Sequence, residues 1–447
     1  MASSELAIGR GGPAVPAEAE RLAIHGGPAA VTGRAFPLPA LLGRPMQLAW
    51  DVVTLAPIMA IERKTTVTDG SGIVEKFEQA FARLTGSSFA LAMTNGTATL
   101  HSAYFAVGVG PGTEVIVPSY TWHATATPIL LCGGTPVFCE IDPRSLTIDP
   151  DDFERRITSR TKAVCAVHIW GNPAEMDRIV EIARRHNVAV VEDCSHAHGS
   201  VYKGKSVGKW GDVGCFSLNA SKPVDGGEAG VAVTDNPVLF DRMLQLGHFG
   251  RIQHGQAART FKLGDMGLGL KYRPHMCAIH LAMASLSRLS ERNKRSEKVW
   301  QWLCEELSGT EGLRPISALP GAYRASYFEY LFAYEKGSRG GPSREEFLNA
   351  ARAEGVPIDP DRYSTMPGTD KMLHQAPLFT EFDRRTLGGC FYDPTRPYEE
   401  ISRLVSLPVT ERLGRELVTL SYQLYRSTES YVRSCGRGLR KVLKALN

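Results

Sequence analysis

The chain has no long apolar run, no paired-cysteine motif and almost no charge imbalance, and each shortage removes a class of protein. No stretch of its 447 residues approaches the ~20 consecutive apolar side chains of a membrane-crossing helix. Its nine cysteines are scattered from Cys132 to Cys435, with no C-x-x-C pair. An odd count without a framework favours a reduced, cytoplasmic chain, and no metal site is expected. The formal charge is +4, from 51 basic and 47 acidic residues. With no long basic block, neither a nucleic-acid partner nor a membrane partner is expected. The N-terminus lacks the basic-then-apolar pattern of a secretory leader. No internal repeat or heptad series appears. What remains is an ordinary composition, 43% apolar and 22% charged, long enough for a full core in two lobes.

Residues 1–60 read as an N-terminal arm, rich in Gly, Ala and Pro to about residue 40, with a short helix over 49–62. Residues 61–305 then alternate short apolar runs with helical patterns. Strands are expected at Phe89–Met93, Glu114–Pro118, Thr135–Ile141, Ala163–His168, Val188–Val191, Val213–Ser217 and Val231–Thr234. Near-continuous apolar strands separated by helices imply an α/β fold whose mostly parallel sheet is covered on both faces. Residues 306–447 change character and read as a smaller α+β domain. Ser343 with Glu346 fits a capping box, and Leu413, Leu417, Leu420 and Leu424 share one helical face.

In such sheets, ligands sit beyond the carboxyl ends of the strands. Asn95-Gly96-Thr97 follows the first strand and opens a helix, an arrangement that offers N–H groups and a hydroxyl to a phosphate. It suits a plain N-cap equally well. Trp122 follows the second strand, where a tryptophan either packs or stacks on a planar ligand. The run Val190–Asp193 ends in Glu192-Asp193, and the run Val213–Ser217 leads into Lys222. An acid and a lysine at neighbouring strand ends are what pyridoxal phosphate (PLP) requires: an amine for a Schiff base and a carboxylate to keep the pyridine nitrogen protonated. A surface lysine and an unrelated acid would give the same spacing.

The motifs Asn95-Gly96-Thr97, VIVPSYTWHATA, PVFCEID, Glu192-Asp193, HAHG, Lys222 and GGEAG together resemble the DegT/DnrJ/EryC1/StrS sugar aminotransferases. The likeness covers roughly residues 70–420. It implies a fold-type I PLP-dependent transferase: a large domain built on a seven-stranded sheet, and a smaller C-terminal domain. By that likeness Lys222 holds the cofactor and Asp193 faces its pyridine nitrogen. Trp122 stacks on the ring, and Gly96, Thr97 and Ser217 bind phosphate. His196 stands where the family usually has glutamine, near the phenolic oxygen. Lys271 replaces the usual asparagine that reaches the partner subunit's phosphate in a homodimer. His248, Arg273 and His374 are candidate substrate contacts. KYRP, HGGPAAV and HQAPLF resemble the cyclitol aminotransferases most. The expected reaction moves an amino group from L-glutamine or L-glutamate to a keto-cyclitol in secondary-metabolite (aminocyclitol antibiotic) biosynthesis. Alternatives are a nucleotide-linked keto-sugar acceptor, a different PLP-dependent reaction, or a PLP-binding protein without turnover.

Overall fold

The computed structural model describes residues 21–32, 68–253, 267–363, 372–380 and 406–446. The helix expected over 49–62 lies outside them. Seven strands form the main sheet: β1 (Phe89–Met93), β2 (Glu114–Pro118), β3 (Thr135–Cys139), β4 (Thr161–Val167), β5 (Ala189–Asp193), β6 (Val213–Ser217) and β7 (Gly230–Thr234). Their order is β1-β7-β6-β5-β4-β2-β3. The pairs along β6-β5-β4-β2-β3 are parallel, and β7 runs antiparallel to both neighbours. The expected mostly parallel sheet is therefore present. Its strands lack polar alternation because both faces are covered.

The longer helices among the described residues are α1 (Ile73–Thr85), α2 (Gly96–Val107), α3 (Met176–Arg185), α4 (Pro237–Gly247), α5 (Met276–Leu286), α6 (Leu289–Leu307), α7 (Arg344–Ala353), α8 (Pro408–Glu416) and α9 (Glu429–Ala445). Strand β1 shows how the two layers form. Ala90 and Ala92 pack with Phe77 and Phe81 of α1 and Ile279 of α5. Leu91 and Met93 point the other way, to Leu100, Ala103 and Tyr104 of α2. The period-two alternation of a strand thus feeds two separate cores.

A second, all-antiparallel sheet contains β8 (Leu313–Pro315), β9 (Glu329–Tyr334), β10 (Ile358–Pro360) and β11 (Leu417–Ser421), in the order β8-β9-β11-β10. It packs against α6, α7 and α9. The capping box of α7 is present: the Ser343 hydroxyl accepts from Glu346 N–H, and the Glu346 carboxylate accepts from Ser343 N–H. The described N-terminal segment lies on this layer, with Leu22 and Val31 in its core. The buried Glu354 carboxylate accepts from Ala23 N–H at 2.7 Å and Ala30 N–H at 2.9 Å.

One expectation fails. The leucines at 413, 417, 420 and 424 do not share a helix, because α8 stops at Glu416 and Leu417–Ser421 is β11. That strand sits between β9 and β10, with Leu417, Val418, Thr419 and Leu420 all buried. Two-sided burial and pairing on both edges outweigh a leucine spacing that suits a helix equally well.

Candidate active site

The carboxyl ends of β1, β2, β4, β5 and β6 open into a cavity of about 340 Å³. Its lining includes Gly96, Thr97, Trp122, Asp193, His196, Ser217 and Lys222, so the fold brings these seven expected residues together. Asn95 caps α2, its side chain accepting from Ala98 N–H at 2.8 Å. The cap role and an anion-binding role coexist, since the cap leaves the first N–H groups of the helix unpaired along its axis. The turn approaches β6 so closely that a Cβ on Gly96 would stand 2.7 Å from the Ser217 Cβ. A Cβ on Gly230 would meet the Asn95 carbonyl at 2.4 Å. Glycine is required at both places to form the cradle.

Asp193 ends β5 and is buried. Its Oδ2 accepts from the Thr125 hydroxyl at 2.8 Å, and its Oδ1 from Ser195 N–H at 3.1 Å. These bonds orient the carboxylate while leaving it lone pairs for a ligand. Lys222 sits in a tight loop after β6. Its N–H donates to the Asn219 carbonyl at 2.8 Å, and Gly226 N–H donates to Leu218 at 2.8 Å. The Lys222 ammonium lies 4.2 Å from the centre of the Phe328 ring. Burial pushes its pKa down to about 8, with Asp193 pulling it up and Arg362 pushing it down. A buried lysine with lowered pKa is the amine a carbonyl-binding site needs.

His196 lies in an aromatic stack, its ring centre 4.3 Å from Phe328 and 5.2 Å from Trp170. Burial holds its pKa well below the usual histidine range, and Lys222 and Arg362 act in the same sense. Trp122 is 39% exposed and tilts towards Tyr363 at 6.0 Å, leaving an indole face for a ring to cover.

The remaining expected residues are not brought here. His248 is buried, and its Nε2 faces the Ala92 carbonyl at 3.1 Å. His374 is buried against Ser119 Oγ at 2.7 Å and the Glu411 carboxylate at 3.3 Å. Both rings bond to protein groups that hold segments together, so neither meets a substrate in this cavity. Arg273 is half-buried and Lys271 exposed, both outside the cavity wall of their own chain.

The cavity lining also includes residues that the sequence did not single out, among them Thr125, Phe328, Arg362 and Tyr363. Arg362 forms an ion pair with Glu329, a buried carboxylate whose pKa burial pushes up to about 7 against the pull of Arg362. The clustered aromatics at 327–334 were the one available signal. They come from the second sheet and its flanking loop, more than 100 residues after Lys222, and only tertiary packing places them.

His168, Glu192 and Cys194 are close enough together to hold a metal ion. Their donors are used instead. Glu192 accepts from His168 Nε2 at 3.0 Å, Gly208 N–H at 2.8 Å and Gly211 N–H at 2.6 Å, and His168 Nδ1 accepts from Ala174 N–H at 3.0 Å. This network ties the end of β4 to β5.

PLP fits the residues present. The turn at Gly96 lines the cavity and closes on Ser217 where a side chain would clash, Lys222 offers the amine, and Asp193 keeps lone pairs free beside it. Residues 54–419 match the model of the DegT/DnrJ/EryC1/StrS aminotransferase family. An L-glutamine:2-deoxy-scyllo-inosose aminotransferase of Streptomyces kanamyceticus is 31% identical over 443 residues, 96% of this chain and 98% of that one. A GDP-perosamine synthase of Caulobacter vibrioides is 34% identical over 299 residues, 66% of this chain and 78% of that one. The solved 3-amino-5-hydroxybenzoic acid synthase superposes with a TM-score of 0.71 at 24% identity, covering 93% of this chain and 99% of that one. Structures sharing this fold have been solved in PLP and PMP forms. Among the described residues no helix is long and apolar enough to cross a membrane. The chain is therefore a fold-type I, PLP-dependent aminotransferase and belongs to the DegT/DnrJ/EryC1/StrS family.

Proposed function

We propose that this aminotransferase moves an amino group from L-glutamine or L-glutamate to a keto-cyclitol in aminocyclitol biosynthesis. The observation that carries the reading is the wall facing Lys222. Trp122, His196, Phe328 and Tyr363 supply aromatic faces and polar edges, and the Arg362 cation is paired by buried Glu329. Such a wall suits an uncharged, polyhydroxylated ring. Two relatives named for 2-deoxy-scyllo-inosose and scyllo-inosose, from Streptomyces kanamyceticus and Streptomyces griseus, support the same class.

When bound, PLP supplies the electron sink for negative charge at the donor's Cα. Asp193 would hold a proton on the pyridine nitrogen. Lys222 would take the proton from the donor's Cα and pass it to the cofactor, the shift that amino transfer requires and a task suited to an amine of pKa about 8. Gly96, Thr97 and Ser217 would hold the phosphate, and Lys271, exposed on its own chain, would reach the phosphate of the partner subunit in a homodimer.

A second reading, a nucleotide-linked keto-sugar acceptor, has one observation in its favour. Arg292, Lys294, Arg295, Lys298 and Arg426 line a groove of about 580 Å³ next to the Lys222 loop. Arg292 donates to the Pro223 carbonyl there. A diphosphate would find complementary charge in that groove. The test incubates the PLP-loaded protein with L-glutamine or L-glutamate and then offers 2-deoxy-scyllo-inosose or a nucleotide-linked 4-keto-sugar, with products read by mass spectrometry. Amination of the cyclitol is expected. Amination of the nucleotide sugar alone overturns the first reading in favour of the second.

A further inference from the structure

We propose that a relay of hydrogen bonds, Trp170 N–H to His196 Nδ1 and His196 Nε2–H to the Tyr363 oxygen, sends the Tyr363 hydroxyl proton into the cavity as a donor to a ligand oxygen. The direction of the relay follows from the chain alone. Only the identity of that oxygen rests on the aminotransferase reading.

The argument begins at a group that can act in one sense only. The Trp170 main-chain N–H is a donor, and it meets His196 Nδ1 at 3.2 Å. Nδ1 therefore carries no proton. A neutral imidazole then holds its proton on Nε2, which lies 3.2 Å from the Tyr363 hydroxyl oxygen. Tyr363 must accept that bond, because a hydroxyl donating to Nε2 would leave the ring with no proton at all. The phenolic proton is thereby turned away from His196. Tyr363 is only 4% exposed, lines the cavity, and among the described residues its hydroxyl has no hydrogen-bond partner except His196. A buried O–H with no acceptor is costly, so the arrangement is completed by a ligand atom in the cavity.

The start of the relay is held rigidly. Trp170 adopts a left-handed backbone, φ 56° and ψ 17°, which a bulky residue rarely takes. Each of its polar groups is engaged. The indole N–H donates to the Tyr120 hydroxyl at 3.0 Å, and the carbonyl accepts two bonds from Arg324 at 2.9 and 3.1 Å. The rings of Trp170 and Tyr363 stack at 4.6 Å. The His196 carbonyl accepts from the Ser326 hydroxyl at 2.6 Å. An unfavourable main-chain conformation persists where surrounding bonds over-determine it, and here it aims one N–H at one ring nitrogen. Trp170 and His196 are positioning residues, and Tyr363 is the group that meets the ligand.

The recipient is an oxygen that carries or develops negative charge. In this cavity that is the cofactor's phenolic oxygen or the ketone oxygen of the acceptor. Glutamine at 196 could accept from Trp170 through Oε1 and donate to Tyr363 through Nε2, so it preserves the relay. Methionine of similar size can do neither.

The first measurement is ¹⁵N NMR of histidine-labelled, full-length protein with and without PLP, with the His196 signal assigned by its loss in His196→Gln. A pyridine-like Nδ1 and a pyrrole-like Nε2 are expected from about pH 6 to about pH 9. Lys222, Arg362 and His198 are the charged or titratable groups acting on this ring, and all oppose its protonation. The second measurement compares Tyr363→Phe, His196→Gln and His196→Met in the donor and acceptor half-reactions. Tyr363→Phe and His196→Met are expected to slow the affected half-reaction roughly 10- to 100-fold with donor KM unchanged, and His196→Gln to stay within about threefold of wild type. If the phenolic oxygen is the recipient, Tyr363→Phe raises the pH at which the visible band of bound cofactor titrates. If the ketone is the recipient, that band stays put and only the acceptor half-reaction slows. A protonated Nδ1, or wild-type rates for Tyr363→Phe in both half-reactions, overturns the proposal. So does His196→Gln failing as badly as His196→Met. The NMR result on the wild-type protein stands even if a variant does not fold. Failure of both acceptors with an intact tautomer pattern would count against the aminotransferase substrate reading and leave the relay in place.

Discussion

Replacing Gly96 by alanine tests the phosphate cradle most directly. The new Cβ would stand 2.7 Å from the Ser217 Cβ, 3.1 Å from its Cα and 3.2 Å from its Oγ. Ordinary contact begins near 3.4 Å, so the turn must retreat from β6 by about 0.7 Å. Two of the three opposing atoms belong to the rigid backbone or its first side-chain carbon, so Ser217 cannot swing away. Overpacking of this kind costs about 1–3 kcal/mol. Where a ligand draws its contacts from both sides of the gap, that strain reappears as roughly 5- to 150-fold weaker binding. The assay titrates apo protein with PLP and follows the visible band, while thermal melts of the apo form report the fold. Weaker PLP binding is expected, with a smaller change in melting of the apo protein. Ser217→Gly in the Gly96→Ala background should restore part of the lost melting temperature of the apo form, because it removes the atom being struck, while affinity stays low for want of the Ser217 hydroxyl. Wild-type affinity in Gly96→Ala would refute the cradle.

Other parts of the site give independent tests. The rate at which apo protein captures PLP should rise through about pH 8 as Lys222 loses its proton; Arg362→Met should move that midpoint up and Asp193→Asn should move it down, as stopped-flow absorbance would show. A midpoint at the ordinary lysine value of 10.5 would contradict the burial argument. Gly171 has φ +92°, and a Cβ there would lie 1.7 Å from the Ser326 carbonyl, so Gly171→Ala should destabilise the fold by ~3 kcal/mol or more in urea melts. Burial raises the Glu329 pKa from 4.5 to about 7, so the folded chain binds that proton more tightly than the unfolded one. Stability should therefore fall as pH climbs from about 4.5 to about 7, by up to ~3 kcal/mol, and Glu329→Gln should flatten the slope in urea melts taken across that range.

Much of this protein is legible from local pattern. Apolar runs with no polar alternation, such as EVIVP and VGCFS, read as strands covered on both faces, and their spacing by helices implies a mostly parallel sheet. Gly96, Asp193 and Lys222 stand at the ends of such runs, where a parallel sheet collects its ligands. Spacing alone left a plain N-cap and an unrelated lysine and acid open, and it was the resemblance to the family that implied the chemistry. What tertiary structure alone decided came from far along the chain. Leu417–Ser421 has leucines at helical spacing, and only its seat between two strands makes it β11. His248 and His374 carry the right chemistry but fold into hydrogen bonds inside the protein. Phe328 is marked only by the aromatic cluster around it, and Arg362 and Tyr363 by nothing local, yet tertiary packing sets all three in the cavity with Lys222. Sequence periodicity reports which face of an element is buried. It does not report which distant element will bury it, and that contact decides which side chains share the cavity.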